Sequence, residues 1–167
     1  ELPPGILPTE QKVREARVSI WGERLADATL LDLFAGSGAV AIEAISRGAL
    51  STTLVESNRS VVAALERNVA PLPRGSYRLL ALPAERALAE LARQAARFDL
   101  VFADPPYSWV PDAGFLAACS LLLRSGGVLT IEHSARSALP ASAGDLVRTD
   151  SRRYGESALA FYGKTEF

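Results

Sequence analysis

Short apolar runs and stretches with helical spacing alternate along most of the chain. Leu30 to Phe34, Thr52 to Val55, Tyr77 to Leu82, Phe98 to Ala103 and Val128 to Glu132 are rich in the residues of covered strands. Between them, Ala39 to Arg47, Arg59 to Val69, Ala84 to Ala96 and Gly114 to Leu123 carry helical periodicity, the first closed by Gly48. Ahead of the first strand, Thr9 and Glu10 open a helix whose body runs to Leu25, after an extended Pro-rich and Gly-rich segment from Leu2 to Pro8. Val13, Ile20, Trp21 and Leu25 form its apolar stripe, and Arg17 falls on that stripe where an apolar residue is expected.

After Glu132 the rhythm changes. Val147 to Tyr154 and Ala158 to Tyr162 flank Gly155-Glu156-Ser157 and predict a hairpin. Parallel strands need helical crossovers, and right-handed crossovers put helices on both faces. The expected fold is therefore α/β and Rossmann-like, a mostly parallel seven-stranded sheet with helices on both faces and a C-terminal antiparallel hairpin. A length of 167 residues predicts one domain, with residues 1–27 as an arm and helix and residues 28–167 as the core. Since the chain opens at Glu1 and contains no methionine, a native N-terminal extension is expected to be missing.

Composition narrows the function classes. No apolar run reaches the length of a membrane span and no leader pattern precedes the fold, so a cytoplasmic protein with no membrane partner is expected. One cysteine, Cys119, and one histidine, His133, argue against a disulfide or a structural metal. A net charge of −1 is unlike a protein that grips bare nucleic acid through phosphates.

Two loops carry the chemistry. The first, Asp32-Leu33-Phe34-Ala35-Gly36-Ser37-Gly38, links a strand to a helix, and its glycines allow a tight turn close to a ligand. Glu56, at the end of the next strand and followed by Ser57, stands where an acid holds ribose hydroxyls. An acid inside the loop repels a pyrophosphate and suits a cationic cofactor, so Asp32 favours S-adenosylmethionine over NAD. Asp32 can alternatively fix the turn by accepting from loop amides. The second loop, Asp104-Pro105-Pro106-Tyr107, ends the fourth strand because proline cannot extend a ladder. A carboxylate, free carbonyls and an aromatic ring suit a flat base bearing an amino group.

Together these motifs resemble the class I S-adenosylmethionine-dependent methyltransferases with an Asp-Pro-Pro-aromatic loop. The run Pro8 to Glu15, the run Leu31 to Ala39 and the closing strand at Glu132 with its hairpin are similar to the RsmD family over nearly the whole chain. That resemblance implies methylation of the exocyclic N2 of one guanine in small-subunit (16S) ribosomal RNA. A substrate assembled with ribosomal proteins and an enzyme acting as a monomer are expected. Asp104, Pro105, Pro106 and Tyr107 are then catalytic. Asp32, Phe34, Ala35, Gly36, Gly38, Glu56 and Ser57 bind the cofactor, with Ala84 or Glu85 meeting its adenine. Thr9, Lys12, Arg14, Trp109, Arg152 and Arg153 are the candidate RNA contacts, Arg148 lying with the last two on the hairpin. The chain departs from the family pattern at Leu7, at Arg17-Val18 and at Leu82-Pro83-Ala84-Glu85. The alternatives are an adenine-N6 methyltransferase acting on DNA or RNA, a nicotinamide-dependent oxidoreductase, and a non-catalytic nucleoside-cofactor or RNA-binding domain.

Overall fold

The computed structural model describes residues 8–165, the side chains of Pro8 and Thr9 excepted. The expected segment before Pro8 and the expected roles of the Thr9 side chain lie outside the described residues. The elements run α1 (Pro8–Trp21), a short 3₁₀ turn (Gly22–Leu25), β1 (Thr29–Leu33), α2 (Ala39–Ser46), β2 (Ser51–Val55), α3 (Arg59–Val69) and β3 (Tyr77–Leu80). Then follow α4 (Ala84–Arg93), β4 (Phe98–Ala103), α5 (Ala113–Leu122), β5 (Leu123–Ser134), β6 (Ser142–Ala143), β7 (Leu146–Tyr154) and β8 (Ser157–Lys164).

One sheet results, ordered β3-β2-β1-β4-β5-β8-β7-β6. Strands β1 to β5 run parallel to one another, while β8 pairs antiparallel to both β5 and β7. The chain leaves β1 toward β2 on one side and returns through β4 on the other. This reversal places the loops after β1 and β4 side by side at the carboxyl ends of the strands.

The sheet has eight strands where seven are expected, because the two-residue β6 folds back on Leu146 and Val147 through a turn at Gly144, φ 57°. A two-residue strand carries too little pattern to be read from sequence. A second difference lies in β5, expected to start at Val128 after a turn at Gly126-Gly127. Instead the strand begins at Leu123 and bulges, since Phe98 pairs with Leu123 but Leu100 pairs with Val128. Glycine is required in that bulge: a Cβ on Gly127 would lie 2.8 Å from the Arg124 carbonyl oxygen and 3.0 Å from that of Asp99.

The two sheet faces bury different sets of side chains. Leu31, Leu33, Val101 and Leu129 face α4 and α5, whereas Leu30, Leu100, Phe102 and Phe161 face α1. Alternation along each strand produces this division, and each such buried leucine or phenylalanine contributes about 1.5–3 kcal/mol. Helix α1 is fixed over β4 and β5 by Trp21, whose Nε1 donates to Thr130 Oγ1 at 3.0 Å and whose ring meets Phe102 edge-on at 5.9 Å.

Candidate active site

The glycine loop is built by backbone conformation. Phe34, Gly36 and Gly38 have φ of 59°, 57° and 84°, and the Gly38 amide donates to the Ala35 carbonyl at 3.0 Å. At Gly38 the left-handed φ coincides with a close approach. A Cβ there would lie 2.6 Å from Leu65 Cδ1 and 3.3 Å from Val69 Cγ1 of α3. The amide of Ala35 is anchored to the Val55 carbonyl at 2.9 Å, so the loop hangs on the end of β2.

Glu56 holds this loop together. Its Oε1 accepts from the Gly36 amide at 3.0 Å, and its Oε2 accepts from Ser57 and Asn58 at 2.9 and 3.0 Å. Asn58 in turn caps α3 by accepting from Ser60 at 3.1 Å. The loop-fixing role open to Asp32 on sequence grounds thus falls to Glu56. Asp32 pairs in register with Phe102 and shares the sheet face under α1, away from the loop amides.

Two cavities meet at Asp104. One, of about 580 Å³, is lined by Phe34, Glu56, Ser57, Asn58, Val61, Asp104, Pro105, Pro106 and Tyr107. The other, of about 400 Å³, lies under α1 and is lined by Glu10, Val13, Arg14, Arg17, Ser37, Ala39, Asp104, Glu132 and Ser157. Asp104 is the carboxylate common to both.

The face under α1 concentrates charge where little water reaches. Arg17 is 7% exposed, with its guanidinium 5.1 Å from the Phe102 ring centroid and 5.8 Å from that of Trp21. Its Nη1 lies 3.9 Å from Glu132 Oε1. Arg17 Nε and both carboxyl oxygens of Asp32 are buried without a hydrogen-bond partner. Burial, opposed by Arg17 and reinforced by Asp104 and Glu56, pushes the Asp32 carboxyl up to about 8. Glu132 is pushed to about 7 by burial and by Asp104, with Arg17 opposing. Asp104 is accessible from the crevice mouths, but the protein walls displace enough of its water to push it to about 6, again against Arg17.

Tyr107 projects from the Pro-Pro turn and is 54% exposed, and its hydroxyl forms a 2.5 Å hydrogen bond with Ser157 Oγ at the start of β8. The antiparallel hairpin therefore braces the loop that follows β4. Other expected site residues fall elsewhere. Trp109 packs between Phe34 and Phe115, at 5.6 and 4.8 Å, and joins Glu85 around a separate cavity of about 280 Å³ between α4 and α5. Neither Glu85 nor Trp109 lines the two cavities at Asp104, and Ala84 is buried against the sheet. The single position of Trp109, six residues beyond the strand end, gave no sign that α5 would fold back over its ring.

Lys12 is exposed, and Arg14 pairs with Glu43 at 3.0 Å on the wall of the second cavity. On the hairpin, Arg152 pairs with Asp150 at 3.3 Å, Arg153 donates to the Gly155 carbonyl at 3.0 Å, and Arg148 donates to the Leu139 carbonyl at 3.2 Å. Arg17, Glu132 and Ser157 line the site without having been expected there. Only Arg17 left a signal, a charge on an apolar stripe.

Sheet order, the glycine loop after β1 and the acid after β2 define the fold of class I S-adenosylmethionine-dependent methyltransferases. Solved structures share it: yhhF from Escherichia coli superposes with a TM-score of 0.80 at 30% identity, covering 99% of this chain and 92% of that one. The SMU.776 structure complexed with SAH has a TM-score of 0.77 at 16% identity over 97% of this chain and 51% of its own, a likeness of fold. A family model described as Conserved hypothetical protein 95 matches residues 3–163, and the chain belongs to that family, the RsmD family. Protein YlbH of Bacillus subtilis is 32% identical over 94% of this chain and 87% of its own length. Ribosomal RNA small subunit methyltransferase D of Escherichia coli K12 is 37% identical over 77% of this chain, the match spanning 62% of that protein's length.

Proposed function

We propose that the protein uses S-adenosylmethionine to methylate the exocyclic N2 of one guanine in small-subunit ribosomal RNA, within an assembled particle in the cytoplasm. The observation that carries this reading is Asp104 standing as the shared carboxylate wall of two cavities. A methyl donor on one side and an amine on the other would meet there. Membership of a family whose relatives include ribosomal RNA methyltransferases supports the substrate class.

The residues fit the cofactor. The cavity of about 580 Å³ is bounded by Glu56, whose carboxylate is already aimed by three amides, and by the Phe34 ring. Glu56 would hold the ribose hydroxyls, and the turn from Ala35 to Gly38, its own amides at Ala35, Gly36 and Gly38 already bonded within the protein, would pass beside the methionine end. Asp32, buried beneath that loop with both oxygens unpartnered and its carboxyl pushed up to about 8, would be drawn toward its ionised form by a nearby sulfonium and ammonium. When bound, the cofactor supplies an electrophilic methyl group.

The protein's own task is geometric. An aryl amine is a poor nucleophile because its lone pair is delocalised into the ring. Asp104 and the Pro105 carbonyl would accept the two N2 hydrogens, drawing the nitrogen toward a tetrahedral shape with its lone pair directed at the methyl. Two prolines fix that backbone, and Ser157 steadies Tyr107, whose ring would stack on the extruded base. Asp104, pushed to about 6, is ionised at neutral pH and basic enough to take the released proton, directly or through water.

Charge argues for a particle over naked RNA. The net charge is −1, Glu10 and Glu132 line the second cavity, and Arg14 and Arg152 are each paired with a carboxylate. Phosphate attraction of that size is too weak to select one base, so the folded particle must supply shape and contacts. The test presents purified small subunits, protein-free rRNA and duplex DNA in parallel with labelled cofactor, then locates the methyl by mass spectrometry. Label on guanine N2 of the subunit is expected. Label on adenine, on DNA, or equally on bare and assembled RNA would each overturn a part of the reading.

A further inference from the structure

The second cavity contains a carboxylate that the positioning of the amine does not use. Glu132 follows Ile131, which pairs with Ala103, so Glu132 and Asp104 are the next residues on neighbouring parallel strands. Adjacent strands lie about 4.7–4.9 Å apart across the sheet. Both side chains line the cavity under α1, on the face to which Phe102 and the Trp21-bonded Thr130 also point. The site thus presents two acceptors side by side. Guanine's pairing edge presents two neighbouring donors, the 2-amino group and N1–H, whereas adenine and 2-aminopurine carry a bare lone pair at N1.

We propose, resting on the guanine-N2 reading above, that Glu132 is the specificity-determining residue of the base site, accepting the N1–H of the target guanine while Asp104 takes its 2-amino group. An ionised glutamate is an acceptor only and repels an N1 lone pair, so it discriminates between bases that share an amine. Arg17 is its positioning residue. The guanidinium, 3.9 Å from Glu132 and braced on Phe102 and Trp21, has an unpartnered Nε and is held in place by ring faces. It is the cation that faces Asp32 from β1, Asp104 from the end of β4 and Glu132 from β5, with Glu43 of α2 also within its field.

Titration agrees with this arrangement. Glu132 sits near 7 under burial, Asp104 and Glu10, with Arg17 pulling it down, and its β8 partner is the apolar Leu159. Below about pH 7 a protonated Glu132 gains a donor and loses its preference for N1–H. Since Asp104 serves any amine-bearing base, the ratio of rates between two such bases isolates Glu132.

The experiment uses small subunits reconstituted with either guanosine or 2-aminopurine riboside at the position that receives the methyl, under single turnover. Wild-type protein is expected to favour guanine, with the ratio falling as pH drops through 7. Glu132→Gln, whose amide can donate to N1, should lower the guanine rate about tenfold to hundredfold, as for loss of a charge-assisted hydrogen bond, and narrow or invert the ratio. Arg17→Leu should leave the preference intact at high pH but move the midpoint of its loss upward. A ratio unchanged in a Glu132→Gln variant that melts like wild type would overturn the proposal. Should that variant not fold, a wild-type ratio flat between pH 6 and 8 does the same. Wild-type label away from guanine N2 would instead defeat the underlying reading, before any base ratio is measured.

Discussion

The two cavities that meet at Asp104 handle acidic residues in opposite ways. On the side of β2, Glu56 accepts three backbone hydrogen bonds, and all three donors come from segments it ties together. Under α1, four carboxylates, Asp32, Glu43, Asp104 and Glu132, share the field of one arginine, and Asp32 has no hydrogen bond for either oxygen. The first site is finished before any ligand arrives. The second is electrostatically incomplete, its acids pushed up to about 8, 7 and 6 at Asp32, Glu132 and Asp104. A buried charge without partners is costly, and such a cost persists where a ligand relieves it.

The sharpest way to break the contrast is at the shared residue. Asp104→Ala is expected to reduce single-turnover methyl transfer by about 10²–10³-fold or more while leaving cofactor affinity, measured by calorimetry, within a few-fold. A near-normal rate would show that the two cavities do not communicate through this carboxylate. Next in size is Glu56→Ala, which should weaken S-adenosylmethionine binding by about tenfold or more and lower the melting temperature, because three amides lose their acceptor together. Unchanged affinity would remove Glu56 from the cofactor's partners while leaving its structural role.

Asp32→Asn should act in the opposite direction on stability. The folded-state value near 8 lies above the ordinary 3.8. The fold therefore favours the protonated acid, and stability is lost as pH rises between about 4 and about 8. The variant should melt above wild type, by a margin that widens from pH 5 to pH 8 and then levels off. The same variant should bind the cofactor more weakly at pH 8, since the relieved charge is gone. A margin independent of pH would mean that Asp32 is ionised and satisfied in the fold. The smallest effect is expected at Tyr107. Tyr107→Phe removes the Ser157 hydrogen bond but keeps the ring and should cost only a few-fold in rate, whereas Tyr107→Ala loses about 1–3 kcal/mol of stacking. Equal losses in the two variants would assign the residue's effect to loop bracing alone.

Local pattern made the meeting of the glycine loop with Glu56 legible in advance. Phe34, Gly36, Gly38 and Glu56 lie within one strand-helix-strand unit, where chain connectivity forces neighbours in sequence to be neighbours in space. Pro105-Pro106 announced the end of β4 for an equally local reason, the missing amide hydrogens. The packing of Trp109 was not legible because its partner Phe115 belongs to a helix that begins beyond the loop, and an aromatic ring reads alike whether it covers a core or awaits a base.

Along the chain itself, alternation of apolar runs with helical periods determined the order of strands and helices, because backbone geometry couples each period to one kind of element. The positions of both loops at strand ends followed from that order. Tertiary structure alone decided that Arg17, Asp32, Asp104 and Glu132 would occupy one face, although they come from a helix and three different strands. That outcome depends on strand register, which sets side-chain facing by a period of two, and on the docking of Trp21 against Thr130 and Phe102. Neither register nor docking has a signature in any single stretch of residues, since each is chosen by the packing of segments distant along the chain.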